Sequence, residues 1–79
     1  MILRLIFKNS VTIAPGIYEH FKGNRYEVIG VAHHTETNEE LVVYRALEGD
    51  TDLKVRPLAM FCEDVSYPEG TIGPRFRRL

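Results

Sequence analysis

The sequence has few of the features that usually stabilise or anchor a small protein. It contains a single cysteine, Cys62, so it cannot close an intrachain disulfide, and it has no CxxC pair that could hold a structural zinc ion. It has no tryptophan, and no apolar run approaches the roughly 20 residues that a helix needs to cross a bilayer. Stability must therefore come from packing, to which association with a second copy could add.

A strong net charge is also missing. Ten lysines and arginines against eleven acids give a formal net charge of −1, so no overall field attracts the chain to DNA or to anionic lipid. The hydrophobic fraction of 44% is ordinary for a folded chain, and 79 residues are enough for one small domain. A free cysteine and the lack of an export signal lead us to expect a cytoplasmic protein without membrane association.

Known catalytic signatures do not occur either. The sequence has no GxSxG, Walker A, GxGxxG or HExxH pattern, so it favours a non-catalytic domain while leaving catalysis open. Cys62 could act as a nucleophile if His20 or His34 came close to it. A lone cysteine beside an aromatic residue is more often a small, buried apolar residue. A small metal-dependent or hydrolytic enzyme would need both histidines and nearby acids to converge.

Histidines and acids around one loop raise the question of a metal site. His33 and His34 are adjacent, so in a strand their side chains point to opposite faces. His34 could bind an ion together with Glu36, Glu39 or Glu40. A surface loop of solvated charges explains the same residues more simply. We therefore predict no metal site and no cofactor.

What the sequence does contain is a series of short runs rich in β-branched and aromatic residues. The longest run, residues 24–34, and its return partner, residues 41–47, predict two antiparallel strands joined by a polar loop that contains Asn38. Gly30 lies in the middle of the first strand and indicates a bend or bulge where the sheet curls. Neither strand has a fully polar face, so we expect both faces to be partly covered.

Shorter runs complete the predicted fold. Residues 17–21, 53–56 and 62–67 are interpreted as strands, and residues 58–61 as one helical turn after Pro57. The predicted fold is all-β: a small, five-stranded, strongly bent antiparallel barrel of the SH3-like kind, with one short helical turn before its last strand. The predicted core consists of Val28, Val43, Leu47, Leu53, Val55, Leu58 and Phe61.

Several of these runs resemble a known family. They are GIYEHFKGNRYEV at residues 16–28, ELVVYRAL at residues 40–47, VRPLAMF at residues 55–61 and PRF at residues 74–76. Together they are similar, in this order, to the bacterial DUF1653 family of small uncharacterised domains. The resemblance implies a compact β-domain and no particular activity. The family often has an aromatic residue where this chain has Glu48 and a tryptophan where it has Lys54, so a binding face lined by those aromatics would be altered here.

The resemblance divides the chain into three parts. We expect residues 1–13 to form an N-terminal extension or an edge strand, residues 14–76 a single DUF1653-like β-barrel domain, and residues 77–79 a basic, loose C-terminal end. The domain is expected to be a monomer or a weak homodimer.

A set of polar and aromatic residues is the candidate binding surface, because tyrosine and arginine supply much of the anchoring energy at recognition surfaces. The alternative is structural: the tyrosines are half-buried barrel residues, and Arg56 is paired with Glu40 or Glu63. The candidate residues are Tyr18, His20, Lys22, Tyr26, Tyr44, Arg45 and Arg56. They suggest a binding or interaction module whose partner is an unknown protein segment or a small anionic ligand.

A nucleic-acid-binding accessory domain is the second hypothesis. It would use the same arginines and the basic tail, in which Arg75, Arg77 and Arg78 surround Phe76 and could contact phosphate or a base. The acidic stretches at residues 36–40 and 48–52 would repel nucleic acid over much of the surface, so this hypothesis is not favoured.

Overall fold

The structure, a computed structural model, describes residues 13–79, so the predicted N-terminal extension lies outside the described residues except for Ile13. The elements in chain order are β1 (Gly16–His20), β2 (Arg25–His33), β3 (Glu40–Ala46), β4 (Lys54–Pro57), α1 (Leu58–Phe61), β5 (Asp64–Ser66), β6 (Ile72–Pro74) and β7 (Phe76–Arg78). The all-β class and the helical turn at residues 58–61 are confirmed. Nowhere in residues 13–79 is there a helix with the length and apolar character that crossing a membrane requires.

Five of the strands form one antiparallel sheet in the order β4-β3-β2-β1-β7, while β5 and β6 form a separate antiparallel pair. The sheet has the predicted number of strands, but its fifth member is different. Residues 62–67, predicted as the last strand, contribute β5 to the small pair. Residues 76–78 pair with β1 instead, so the C-terminal end that we expected to be loose is part of the main sheet.

The end of β7 is fastened to the start of β1 by one side chain. The Arg78 guanidinium donates a hydrogen bond to the carbonyl of Pro15 at 3.0 Å. It also lies against Gly16, where an added Cβ would be only 2.8 Å from Nη2 of Arg78. Gly16 has a φ of +143°, a conformation that favours glycine, so its backbone angle requires this residue type. A Cβ at this position would also displace the Arg78 guanidinium, which can move because it ends a flexible side chain.

The hairpin of β2 and β3 contains the irregularity predicted at Gly30. The register shifts between Val28 and Gly30, which marks a β-bulge and confirms the predicted bend. The bulge also changes which side chains share a face. Val31 lies opposite Val42 and therefore points to the same side as Val28, whereas in a regular strand Gly30 would take that side.

The sheet is strongly bent, as predicted. In the strand order β4 and β7 are four steps apart, which would separate them by about 19 Å in a flat sheet. The Arg56 guanidinium on β4 nevertheless lies 6.0 Å from the ring centroid of Phe76 on β7. Within residues 13–79 β4 and β7 do not pair with each other, so a closed SH3-like barrel is not confirmed.

The inner face of the bent sheet carries an aromatic core. The rings of Phe61 from α1 and Phe76 from β7 are stacked, with centroids 4.0 Å apart and an interplanar angle of 3°. Tyr18 and Tyr44 meet the Phe61 ring edge-on at 5.9 and 5.7 Å. The buried hydrophobic residues are Tyr18, Val28, Val42, Tyr44, Leu58, Phe61 and Phe76.

The predicted core is only partly correct. It is right at Val28, Leu58 and Phe61 and wrong at Val43, Leu47, Leu53 and Val55. In β3 the core side chains are Val42 and Tyr44, so Val43 points to the outer face. Because both faces of β3 carry apolar residues, alternation alone does not identify the face that the aromatic rings cover.

The outer face carries ion pairs between neighbouring strands. Glu19 on β1 lies 3.2 Å from Arg77 on β7 and 3.6 Å from Arg25 on β2. Glu27 on β2 lies 3.0 Å from Arg45 on β3. Exposed pairs of this kind contribute roughly 0–1 kcal/mol each. They therefore favour the observed register more than they stabilise the fold, whose stability depends on the aromatic core.

Phe61→Ala tests the role of the aromatic core. Phe61 is 1% exposed, so the substitution should lower the free energy of unfolding by about 3 kcal/mol, through lost burial and a residual cavity. Chemical denaturation measures the change. Met60→Ala in the same helical turn is the matched control, because Met60 is 47% exposed and its loss should cost much less. A denaturation midpoint unchanged in Phe61→Ala would contradict the stacked arrangement with Phe76.

Candidate binding site

The turn between β1 and β2 places His20 at the rim of the aromatic core. The turn is closed by hydrogen bonds from His20 N–H to Asn24 O at 2.8 Å and from Gly23 N–H to His20 O at 2.7 Å. The backbone N–H of Lys22 donates to Nδ1 of His20 at 3.1 Å. Because Nδ1 accepts this bond, the contact assigns the proton of the neutral imidazole to Nε2.

Aromatic rings surround the imidazole of His20. Its centroid lies 4.6 Å from the ring of Phe21, 4.9 Å from Phe76 and 6.3 Å from Tyr26. Tyr26 in turn meets Phe76 edge-on at 5.6 Å. Because His20 and Tyr26 are only partly buried, they extend the aromatic core to the surface of the domain.

Positive charges also converge on this histidine. Burial lowers the pKa of His20, and the charges of Arg75, Lys22 and Arg56 lower it further. Of these three cations, Arg75 is paired with Glu63, while Lys22 and Arg56 have no carboxylate partner within residues 13–79. The local potential is therefore positive, although the whole chain carries a formal charge of −1.

Arg56 reaches this region from β4 and lies over the ring of Phe76 at 6.0 Å, a cation–π contact. Neither of the acids expected as its structural partner pairs with it. Glu63 lies 3.0 Å from Arg75, and Glu40 lies 3.8 Å from a histidine at the end of β2. The interpretation of Arg56 as half of such an ion pair is therefore wrong. Within residues 13–79 its charge has no carboxylate partner.

Arg75 is held by both its backbone and its side chain. Its N–H donates to Glu63 O at 3.0 Å, and its carbonyl accepts from Phe21 N–H at 2.9 Å. Nη2 of the guanidinium donates to Oε1 of Glu63 at 3.0 Å. Nε is buried and, within residues 13–79, has no hydrogen-bond partner. An unsatisfied buried donor costs about 1–3 kcal/mol, so this nitrogen would gain from an acceptor oxygen.

These side chains define one surface, which we call the aromatic–basic patch. It consists of His20, Lys22, Tyr26, Arg56, Arg75 and Phe76. Four of its members were predicted from the sequence as binding residues. Arg75 and Phe76 were not among the predicted binding residues; the sequence pointed to them only through the basic tail of the nucleic-acid hypothesis and the family-like PRF block. A binding role for the patch stays a prediction.

The other three predicted residues lie elsewhere. Tyr18 and Tyr44 are each 6% exposed, and the hydroxyl of Tyr18 donates to Ala14 O at 2.8 Å, so both are core residues. Arg45 projects from the outer face, where its Nη2 lies 3.0 Å from Glu27. The structure therefore separates Arg45 from the patch by the thickness of the sheet.

The residues considered for catalysis or metal binding do not come together. Cys62 is exposed rather than buried, yet partial burial of its thiol raises the pKa, which disfavours the nucleophilic thiolate. Nδ1 of His34 accepts backbone N–H bonds from Glu36 at 3.1 Å and Thr37 at 3.4 Å, so this histidine closes the β2–β3 loop. In the described part of the chain, no three His, Cys, Asp or Glu side chains are grouped as a metal site would need.

Surface depressions do not identify a different site. One depression, of about 340 Å³, is lined by Gly23, Asn24, Arg25, Ala46, Leu47 and Glu48. Its two charged side chains carry opposite charges, whereas the charged side chains of the aromatic–basic patch are all positive. A smaller depression of about 140 Å³ adjoins His20, where the rings of Phe21 and Tyr67 lie parallel at 6.1 Å. We therefore assign the site on charge and geometry rather than on volume.

The family profile described as "Protein of unknown function (DUF1653)" matches residues 16–78. The chain belongs to the DUF1653 family. Among solved structures, the crystal structure of a DUF1653 protein from Bordetella bronchiseptica is similar, with a TM-score of 0.77 and 35% sequence identity, covering 85% of this chain and 87% of that chain. The search of curated proteins found no match. The DUF1653 resemblance of the sequence is thus confirmed.

The two departures from the usual DUF1653 pattern lie outside the aromatic–basic patch. Glu48 lines the depression of about 340 Å³, and the Nζ of Lys54 lies 3.1 Å from the carboxylate of Asp50 on the surface. A weaker or altered binding face is therefore not expected at the patch on account of these two residues.

An NMR titration of His20 tests the electrostatics of the patch. Burial and the three cations should hold its pKa below the value in the denatured chain, about 6.5. The unfolded state then binds the proton more readily, so this group lowers stability as the pH falls from about 6.5 towards the folded pKa. Arg56→Gln should raise the pKa of His20, and Arg45→Gln on the opposite face should leave it unchanged. A pKa of His20 at or above its denatured-state value would contradict this description.

Proposed function

We propose that this DUF1653 domain is a non-catalytic binding module that takes an anionic group into the aromatic–basic patch. The group belongs to a protein segment or to a small ligand. One observation carries the proposal: Lys22, Arg56 and Arg75 converge on a neutral His20, and within residues 13–79 only Arg75 of the three has a carboxylate partner, Glu63. Two cations without a carboxylate partner beside the imidazole disfavour further positive charge there, and an anion that binds relieves this.

The patch contains three side chains that can donate hydrogen bonds to such an anion. Arg56 can offer its planar guanidinium, which the Phe76 ring already restrains, so less side-chain freedom is lost on binding. His20 can donate from Nε2 because its Nδ1 is engaged by the turn. The buried Nε of Arg75 has no partner in the described part of the chain. Hydrogen bonds from charged donors to an anion are roughly twice as strong as neutral ones.

The tail arginines support a compact anionic group rather than a nucleic-acid strand. Arg77 lies 3.2 Å from Glu19, Arg75 is paired with Glu63, and Arg78 donates to a backbone carbonyl. Three arginines that were candidates for phosphate contacts are thus engaged within the domain. Tracking a nucleic-acid backbone needs a continuous row of available cations, which this surface does not offer.

Titration with inorganic phosphate, followed by NMR, tests the proposal. We expect saturable shifts at His20, Arg56 and Phe76, together with a rise in the pKa of His20, because the anion stabilises the imidazolium. Arg56→Gln should weaken phosphate binding by about tenfold, the size expected for the loss of one charge-assisted hydrogen bond. Arg45→Gln removes the same charge from the outer face and should leave the affinity unchanged.

A control with sodium chloride at matched ionic strength separates binding from screening. If chloride reproduces the shifts, or if Arg45→Gln weakens phosphate binding as much as Arg56→Gln, the patch is not a site and the proposal fails.

A further inference from the structure

Within residues 13–79, the outer edge of β7 has backbone groups without a partner strand. Phe21 N–H donates to Arg75 O, and Leu79 N–H donates to Ile17 O, both at 2.9 Å. In an antiparallel pair the residues that bond to the neighbouring strand alternate with residues that face the other way. Phe76 and Arg78 therefore direct their N–H and C=O groups away from β1. Within residues 13–79 no strand lies beyond β7 in the sheet.

The opposite edge of the sheet is less available. β4 ends at Pro57, which has no N–H to donate to an added strand. Proline at an edge is one of the features by which proteins block unwanted strand pairing. β7 has no proline, so of the two outer strands it is the better site for an additional strand.

The charge on β7 selects the kind of strand that can pair there. β7 has two adjacent arginines and no acidic residue. Arg77 is paired with Glu19, whereas Arg78 donates to the Pro15 carbonyl and has no carboxylate partner within residues 13–79, so the uncompensated charge on this strand is that of Arg78. A second copy of β7 would bring arginines opposite arginines, which is unfavourable across a strand pair. An acidic strand would be complementary. The ring of Phe76 belongs to the aromatic–basic patch while its backbone faces the open edge, so one segment could contact both surfaces.

We propose that the partner is an acidic polypeptide segment that adds to the free edge of β7 as a further antiparallel or parallel strand. Its backbone pairs with Phe76 and Arg78, and one of its carboxylates enters the aromatic–basic patch; the inference therefore rests on the proposed function. In this mode of recognition the main-chain hydrogen bonds supply affinity, and the alternate side chains supply specificity.

Two variants at one position isolate the backbone contribution. Arg78→Pro removes the outward-facing N–H, which β1 does not use, while Arg78→Ala removes the same side chain and keeps that N–H. The probe is a short capped peptide of alternating glutamate and valine residues, titrated into the full chain and followed by NMR. We expect Arg78→Pro to bind the peptide roughly fivefold more weakly than Arg78→Ala, which corresponds to one net hydrogen bond. Equal affinities would overturn the strand-addition proposal.

A second measurement does not depend on the folding of the proline variant. Two versions of the same peptide are N-methylated at alternate amides, one at the odd and one at the even positions, so that each cannot pair along one of its edges. At least one of the two should fail to bind the unaltered chain. A peptide of alternating lysine and valine should not bind. Binding by both methylated peptides, or by the lysine peptide, would overturn the proposal. Oligothymidylate serves as a nucleic-acid probe, and its binding to the patch with equal affinity in Arg78→Pro and Arg78→Ala would also overturn the proposal.

Hydrogen exchange distinguishes other occupants of this edge. In the free chain the amides of Phe76 and Arg78 should exchange fast, and the glutamate–valine peptide should slow them. Protection without peptide would show that another part of the chain, such as residues 1–12, or a second copy already lies there, and would overturn the proposal. The phosphate titration separates the two proposals. If phosphate binds saturably but the peptide does not slow amide exchange at Arg78, strand addition alone is refuted. If neither phosphate nor the peptide binds, the proposed function is refuted as well.

Discussion

The parallel stack of Phe61 on Phe76 is the contact on which the rest of the structure depends. It joins the one helical turn to the C-terminal strand, with the two ring centroids 4.0 Å apart. Tyr18 and Tyr44 complete the core by meeting Phe61 edge-on. Without a disulfide, this group of rings must offset much of the conformational entropy lost on folding. The same stack draws β7 across the inner face, so the bending of the sheet and the position of the patch both follow from it.

Local features of the fold were predictable from the sequence, and the choice of face was not. The helical turn follows Pro57, and the bulge lies at Gly30, because each depends on the backbone chemistry of one or two residues. Which of the alternate side chains of β3 face the core depends on the elements that cover this strand. Val42 and Val43 have identical side chains, and only the distant rings of α1 and β7 make the first a core residue. Likewise, β7 was not predicted as a strand, because it is rich in arginine and its partner strand lies far away in the sequence.

The candidate site shows the same division between residue type and position. Aromatic and basic types were sufficient to select His20, Tyr26 and Arg56, which the structure brings together. Residue type alone did not exclude Arg45, because the two faces of β3 carry side chains of similar composition. Arg56 reaches Phe76 only because the sheet bends, and no local pattern in the sequence specifies an approach between its two outer strands.

The pairing of β7 with β1 also has a kinetic consequence. The two side-chain contacts that fasten these strands join residues separated by 58 and 63 positions in the chain. Contacts of such large sequence separation form late and slow the folding of small domains. The meander of β1, β2 and β3 can assemble earlier from neighbouring segments, but its tyrosine-bearing face is then uncovered. A chain in which this meander has formed before Phe76 arrives exposes an aromatic surface beside an unpaired strand, the combination that makes partly folded chains prone to aggregate.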